Sequence, residues 1–165
     1  MEKAYFAGGC FWCITPTFRC MEGVSDVISG YSGGDEVNPT YEDVKHQRTG
    51  HREAICIVYD PAQVSYENLL QVYLDSVDPF DAGGQFIDRG FSYTLAVYYN
   101  TAQEQKTALC LLAQLEEQAG KQPFVAVEAY KNFYTAEEYH QNFDLKNPEH
   151  FQRELVESGR VKAGE

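Results

Sequence analysis

The sequence predicts a single α+β domain, residues 1–165, in which a mixed β-sheet is partly covered by helices and the long loops carry function. Segments of strand character and segments of helical periodicity are mixed along the chain, and some are joined by long loops. The chain has 165 residues, 44% of them hydrophobic and 14% aromatic, enough for one core in one domain. No internal repeat or low-complexity segment interrupts that pattern.

The elements follow in order. Lys3–Phe6 is a short aromatic strand that ends at Gly8-Gly9, and Cys10–Cys20 places Phe11, Ile14 and Phe18 at helical spacing. Pro16 fits this helix best if it begins a few residues after Cys10, because proline is tolerated in a first turn. Val24–Tyr31 is a strand closed by Ser32-Gly33-Gly34, and polar Asp35–Gly50 puts Tyr41 on a loop or short helix. His51–Asp60 is the clearest strand, with Glu53 on the face of Ile55 and Ile57, and Cys56 on that of Ala54 and Val58. Ser65–Val77 is a capped helix with Leu69, Leu70, Val72, Tyr73 and Val77 as its buried stripe. Asp78–Ser92, which holds Pro79, Gly83, Gly84 and Gly90, is a long irregular loop of the kind that is commonly functional. Tyr93–Tyr99 is a strand, Thr101–Gly120 a long capped helix, and Phe124–Tyr130 another strand. A tyrosine-rich loop from Asn132, a helix around Pro148–Ser158 and a frayed tail complete the chain.

Charge narrows the function. Thirteen Lys and Arg against 25 Asp and Glu give a net charge of −12, which repels nucleic acid and anionic lipid surfaces. The longest apolar runs, Ala54–Tyr59 and Ala108–Ala113, are far short of the roughly 20 residues that a membrane helix needs. The N-terminal segment lacks the long apolar stretch of a signal peptide, so the expected compartment is the cytoplasm. Five cysteines, an odd number, argue against a structural disulfide framework. In a reducing compartment, clustered cysteines near an N-terminus point to catalysis or metal binding.

Gly8-Gly9-Cys10-Phe11-Trp12-Cys13 is the most informative stretch. A cysteine between a glycine turn and a helix start feels the positive end of the helix, which lowers the thiol pKa and makes Cys10 a candidate nucleophile. Cys10-x-x-Cys13 also suits a disulfide or half of a zinc site. Zinc needs two further ligands, and the four histidines, His46, His51, His140 and His150, form no recognisable ligand pair. Cys20, Cys56 and Cys110 sit among apolar neighbours and read as buried, inert residues. Glu53, on an apolar strand face, either holds a proton by a raised pKa and serves as a general acid, or reaches solvent beside Arg52. Of the twelve tyrosines, Tyr31, Tyr41 and Tyr93 adjoin glycine-rich or loop segments where a neutral phenol can donate to a polar oxygen. Asp88, before Arg89-Gly90, is either catalytic or a turn or ion-pair residue.

At this point the chain resembles peptide methionine sulfoxide reductase A. The resemblance rests on Gly9-Cys10-Phe11-Trp12, Gly30-Tyr31-Ser32-Gly33-Gly34, Asn38-Pro39-Thr40-Tyr41, Thr49-Gly50-His51-Arg52-Glu53-Ala54, Asp78-Pro79, Asp88 with Tyr93, and Tyr139-His140-Gln141, all in family order. It implies an α+β fold and the reduction of the S epimer of methionine sulfoxide, in proteins and peptides or free, through a sulfenic acid. It assigns Cys10 as nucleophile, Phe11 and Trp12 as the pocket for the substrate methyl, and Glu53 as acid. Tyr41, Asp88 and Tyr93 match the groups that bind the sulfoxide oxygen and water. No metal or bound cofactor is implied, and thioredoxin is the expected external reductant.

Two departures stand out. Many members have glycine where this chain has Cys13, and many carry recycling cysteines near the C-terminus, whereas none follows Cys110 here. The resolving residue is then expected to be Cys13, with Cys20 as the alternative, about 15 Å along the helix and reachable only if that helix unwinds. Gly84–Gly90 also differs from the usual Gly-Asn-Asp-x-Gly-type loop, although Asp88 and Tyr93 keep their mutual spacing. Two competing readings are a general thiol–disulfide oxidoreductase, which would not need Glu53, and a zinc- or peptide-binding module without catalysis. A monomer is expected, since the pattern shows no long exposed apolar face.

Overall fold

The computed structural model describes residues 1–157. A six-stranded sheet in the order β7-β6-β1-β3-β2-β8 forms the frame. Its strands are β1 (Glu2–Gly8), β2 (Val24–Ser32), β3 (Arg52–Tyr59), β6 (Leu95–Tyr99), β7 (Val125–Ala129) and β8 (Tyr134–Thr135). All neighbours are antiparallel except β6 and β7, so the sheet is mixed, as the sequence predicts. β1, helix α1 (Phe11–Arg19) and β2 form a βαβ unit into which β3 is inserted.

The sheet has two dissimilar faces. The main core packs Phe6, Ile55, Ile57, Leu95 and Val97 against Phe11, Ile14 and Phe18 of α1, Leu69, Leu70 and Tyr73 of α3 (Tyr66–Ser76), and Ala108 and Leu111 of α4 (Ala102–Ala119). The opposite face is a smaller cluster of Tyr5, Ala7, Ala54, Cys56, Ala96 and Tyr98. Strand alternation puts Glu53 on the first face with Ile55 and Ile57, and Cys56 on the second with Ala54, as its period requires. Ser65 caps α3 and Thr101 caps α4, and α4 ends at Gly120 in the left-handed conformation, φ 70°.

The turn between β1 and α1 depends on two glycines. Gly9 has φ 82°, a region costly for any residue with a Cβ, and a Cβ on Gly8 would lie 2.7 Å from Ile14 Cδ1. The helix then starts at Phe11, earlier than Pro16 alone would favour, leaving the proline in the helix interior. Pro16 removes one backbone hydrogen bond, and the helix is held by its buried face and by the Thr15 hydroxyl, which donates to the Phe11 carbonyl at 2.6 Å.

Other expectations change as well. Cys20 and Cys110 are exposed, Cys20 at the C-cap just past the end of α1 and Cys110 on the solvent side of α4; only Cys56 of that trio is buried. Asp78–Ser92 is not wholly irregular: β4 (Gly84–Gln85) and β5 (Asp88–Arg89) make a small hairpin, pinned by an Arg89–Asp81 ion pair at 2.6 Å. Tyr93 closes a 3-10 turn, Phe91–Tyr93, and does not start β6. Tyr41 opens the short helix α2 (Tyr41–Lys45), capped by Thr40. Helix α5 (Phe143–Lys146) and helix α6 (Pro148–Glu157) follow β8; the expected helix end at Ser158 and the tail lie outside the described residues.

Candidate active site

Cys10 stands at the N-cap of α1, its residue 8% exposed, with no side-chain bond to the helix amides. It opens into a cavity of about 270 Å³ also lined by Phe11, Trp12, Tyr41, Glu53, Asp88 and Tyr93. Four stretches separated in sequence therefore meet at one place, and every expected catalytic and substrate-binding residue is among them. Larger concavities lie beside Arg52 and Phe124, about 380 Å³, and along α6, about 390 Å³. Neither contains a cysteine.

Glu53 resolves the choice left open by the sequence. It is 1% exposed, while its neighbour Arg52 points to the other side of the sheet, bonding Tyr98 Oη and Glu128 Oε2 at 3.1 and 3.0 Å. Glu53 Oε1 accepts the Phe11 amide N–H at 3.2 Å, whereas buried Oε2 has no hydrogen-bond partner among the described residues. Burial drives its pKa to about 8, the Phe11 amide and Tyr93 phenol pull it down, and the charges of Asp88 and Cys13 push it up. The carboxyl is thus protonated at neutral pH, with its second oxygen still available to a ligand.

The thiol behaves differently from expectation. The Cys10 pKa is raised well above its ordinary value, first by its hydrogen bond with the Cys13 thiol, then by burial and by the charges of Cys13, Glu53 and Asp88. The positive helix end is present, but these neighbours outweigh it. Their contact also places Cys13 within reach of Cys10. Cys20, at the far end of α1, is not in the cavity and would need the helix to open.

Tyr41 and Tyr93 have pKa values raised by burial and then by the charge of Glu53, so both remain phenol donors. Trp12 is clamped: its ring stacks on Phe143 at 3.9 Å and 8°, and its Nε1 donates to His140 Nδ1 at 3.0 Å. Burial lowers the His140 pKa, which keeps the ring neutral and Nδ1 an acceptor. Glu137 accepts both the Tyr31 hydroxyl, 2.8 Å, and the Tyr41 amide, 3.0 Å, and so fixes the start of α2 against the sheet. Sequence reasoning missed the roles of Glu137 and of His140. The one available signal was the Tyr139-His140-Gln141 motif, which carried no role of its own. Among the described residues no cluster of His, Cys, Asp and Glu is arranged to hold a metal ion.

A family model described as peptide methionine sulfoxide reductase matches residues 2–164. The chain belongs to that family. Among curated relatives, the peptide methionine sulfoxide reductase MsrA of Bacillus velezensis is 47% identical over 161 residues, 96% of this chain and 91% of the relative. An MsrA of Staphylococcus aureus is 46% identical over the same shares. Among solved structures, methionine sulfoxide reductase A of Corynebacterium diphtheriae has a TM-score of 0.80 at 28% identity, covering 89% of this chain and 75% of the other. Mxr1 from Saccharomyces cerevisiae in its reduced form has a TM-score of 0.85 at 26% identity, covering 90% and 86%. Mxr1 in complex with Trx2 shares the fold at 18% identity, TM-score 0.57, covering 86% and 84%. For a member of this reductase family, a cysteine, a protonated carboxylic acid and an aromatic wall around one small cavity are what sulfoxide chemistry requires. A sulfoxide sulfur becomes a good electrophile only when its oxygen is protonated or strongly hydrogen-bonded.

Proposed function

We propose that the chain reduces the S epimer of methionine sulfoxide with Cys10 as nucleophile and Glu53 as acid. The observation that carries this is the split environment of Glu53, one oxygen fixed by the Phe11 amide and the other unpartnered in the cavity that holds Cys10. The substrate methyl rests against Phe11 and Trp12, and its oxygen faces Glu53 with the phenols of Tyr41 and Tyr93 as further donors. Asp88, half-buried in the same wall, orders the water beside that oxygen.

Cys10 sulfur attacks the sulfoxide sulfur as Glu53 protonates the oxygen. The oxygen passes to Cys10, methionine leaves, and Cys10 becomes a sulfenic acid. The Cys13 thiol then attacks the Cys10 sulfur, expelling the hydroxyl as water and forming a Cys10–Cys13 disulfide. An external dithiol restores both thiols, taking the disulfide's two oxidising equivalents. Thioredoxin is the reductant proposed, in keeping with the structure of yeast Mxr1 in complex with Trx2. A monomer in the cytoplasm is part of this reading, the compartment in keeping with an odd number of cysteines, five, two of them clustered at Cys10 and Cys13.

The test is turnover of separated S and R epimers of a blocked methionine sulfoxide with dithiothreitol. Methionine from the S epimer alone, lost in Cys10→Ser, is expected. Equal use of both epimers, or full activity in Cys10→Ser, overturns the assignment.

A further inference from the structure

The cavity has a graded wall. Its floor is buried and built from Cys10, Phe11, Glu53 and Tyr93, while its mouth carries exposed Lys45 from α2 and exposed His150 and half-buried Glu154 from α6. The two mouth charges are opposite. Lys45 Nζ lies over the Tyr41 ring, 5.6 Å from its centroid, on the ring that lines the site. Among the described residues it has no ion-pair partner, although acids outnumber bases 25 to 13 in the sequence. Glu154 Oε1 faces His150 Nε2 at 3.7 Å, on the same helix one turn away. The remaining carboxylate, Asp88, is on the Glu53 side of the wall, where its charge acts on Glu53 and Cys10.

We propose that Lys45 and Glu154 select free methionine sulfoxide, Lys45 receiving its α-carboxylate and Glu154 its α-ammonium. The inference rests on the reading of the cavity as the sulfoxide site. With the sulfoxide on the floor, the backbone end of the substrate emerges at the mouth. In a free amino acid that end carries one anion and one cation; inside a peptide it carries neutral amides, which have no use for either charge.

The experiment compares kcat/KM for free L-methionine (S)-sulfoxide, its N-acetyl derivative, its amide, and the doubly blocked N-acetyl amide. In the parent, each charge is expected to raise kcat/KM over the doubly blocked substrate. Lys45→Gln is expected to lower the ratio of N-acetyl acid to doubly blocked substrate about fivefold, the upper range for one exposed charge pair. Lys45→Arg should restore it, Glu154→Gln should act likewise on the free-amine amide, and added salt should shrink both ratios in the parent. Ratios that stay within about twofold in both variants overturn the proposal while leaving the reductase reading intact. A folded, reduced parent that turns over none of the four substrates overturns both.

Discussion

At the residue scale, the decisive relation is between two protons. Cys10 holds its proton above the ordinary thiol range, and Glu53 holds one up to about pH 8. Attack needs the sulfur without its proton and the carboxyl with it. Below pH 8, kcat/KM should therefore climb about tenfold per pH unit as thiolate accumulates, then level off near 8, where each thiolate gained is matched by a Glu53 proton lost. Glu53→Gln should lower kcat/KM by about two to four orders of magnitude and continue to climb beyond pH 8. A profile with the same plateau in both proteins would remove Glu53 from the proton inventory. Cys10 and Glu53 were legible because a glycine turn before a helix and a carboxylate on an apolar strand face are local patterns. The direction of the Cys10 shift was not, since it depends on Cys13, Glu53 and Asp88 brought near by folding. Cys20 and Cys110 were misread for a related reason: Cys20 falls just past the end of α1, and the apolar neighbours of Cys110 in sequence do not share its side of α4.

At the element scale, the N-cap and first turn of α1 carry the proposed nucleophile, methyl pocket and resolving thiol together. Cys13→Ser is expected to release methionine once per enzyme at the parental rate in a single turnover and to lose steady-state turnover with thioredoxin. Unimpaired steady-state turnover would return the resolving role to another residue. The start of α1 depends on Gly9 at φ 82°, so Gly9→Ala should cost about 1–2 kcal/mol by urea unfolding and displace Cys10 from the Glu53 wall, lowering activity with it. The strands and long helices were readable from period and caps, with ends within a few residues. The small hairpin of β4 and β5 was not, because Phe86 has φ 55° and the turn is held by Arg89 and Asp81 rather than by an Asn-Gly signal. Pro16 misled the reading because helix propensity is weak beside a buried Phe11, Ile14 and Phe18 face.

At the scale of the whole molecule, Glu53 costs stability. A carboxyl with a folded pKa of about 8 against an ordinary 4.5 binds its proton more tightly folded than unfolded. Between those values the unfolded chain ionises first, so stability falls as pH rises from about 4.5 to about 8, then levels off. Glu53→Gln should match the parent's unfolding free energy, measured by urea titration, near pH 4.5 and exceed it progressively up to pH 8, by a few kcal/mol at most. A variant less stable than the parent at pH 8 would contradict the buried-acid account. That trade places the site among those where function is kept at the expense of fold stability.

The Trp12 clamp has a consequence for how the protein is made. Its hydrogen-bond partner, His140, follows it by 128 residues, and Phe143 comes later still. At ordinary ribosomal speed the N-terminal segment waits on the order of 10 s for those residues to be added. During that interval the nascent chain carries its cysteines without an assembled aromatic wall, and repair of oxidised methionine waits until residues as late as Phe143 have been added and have folded back onto Trp12.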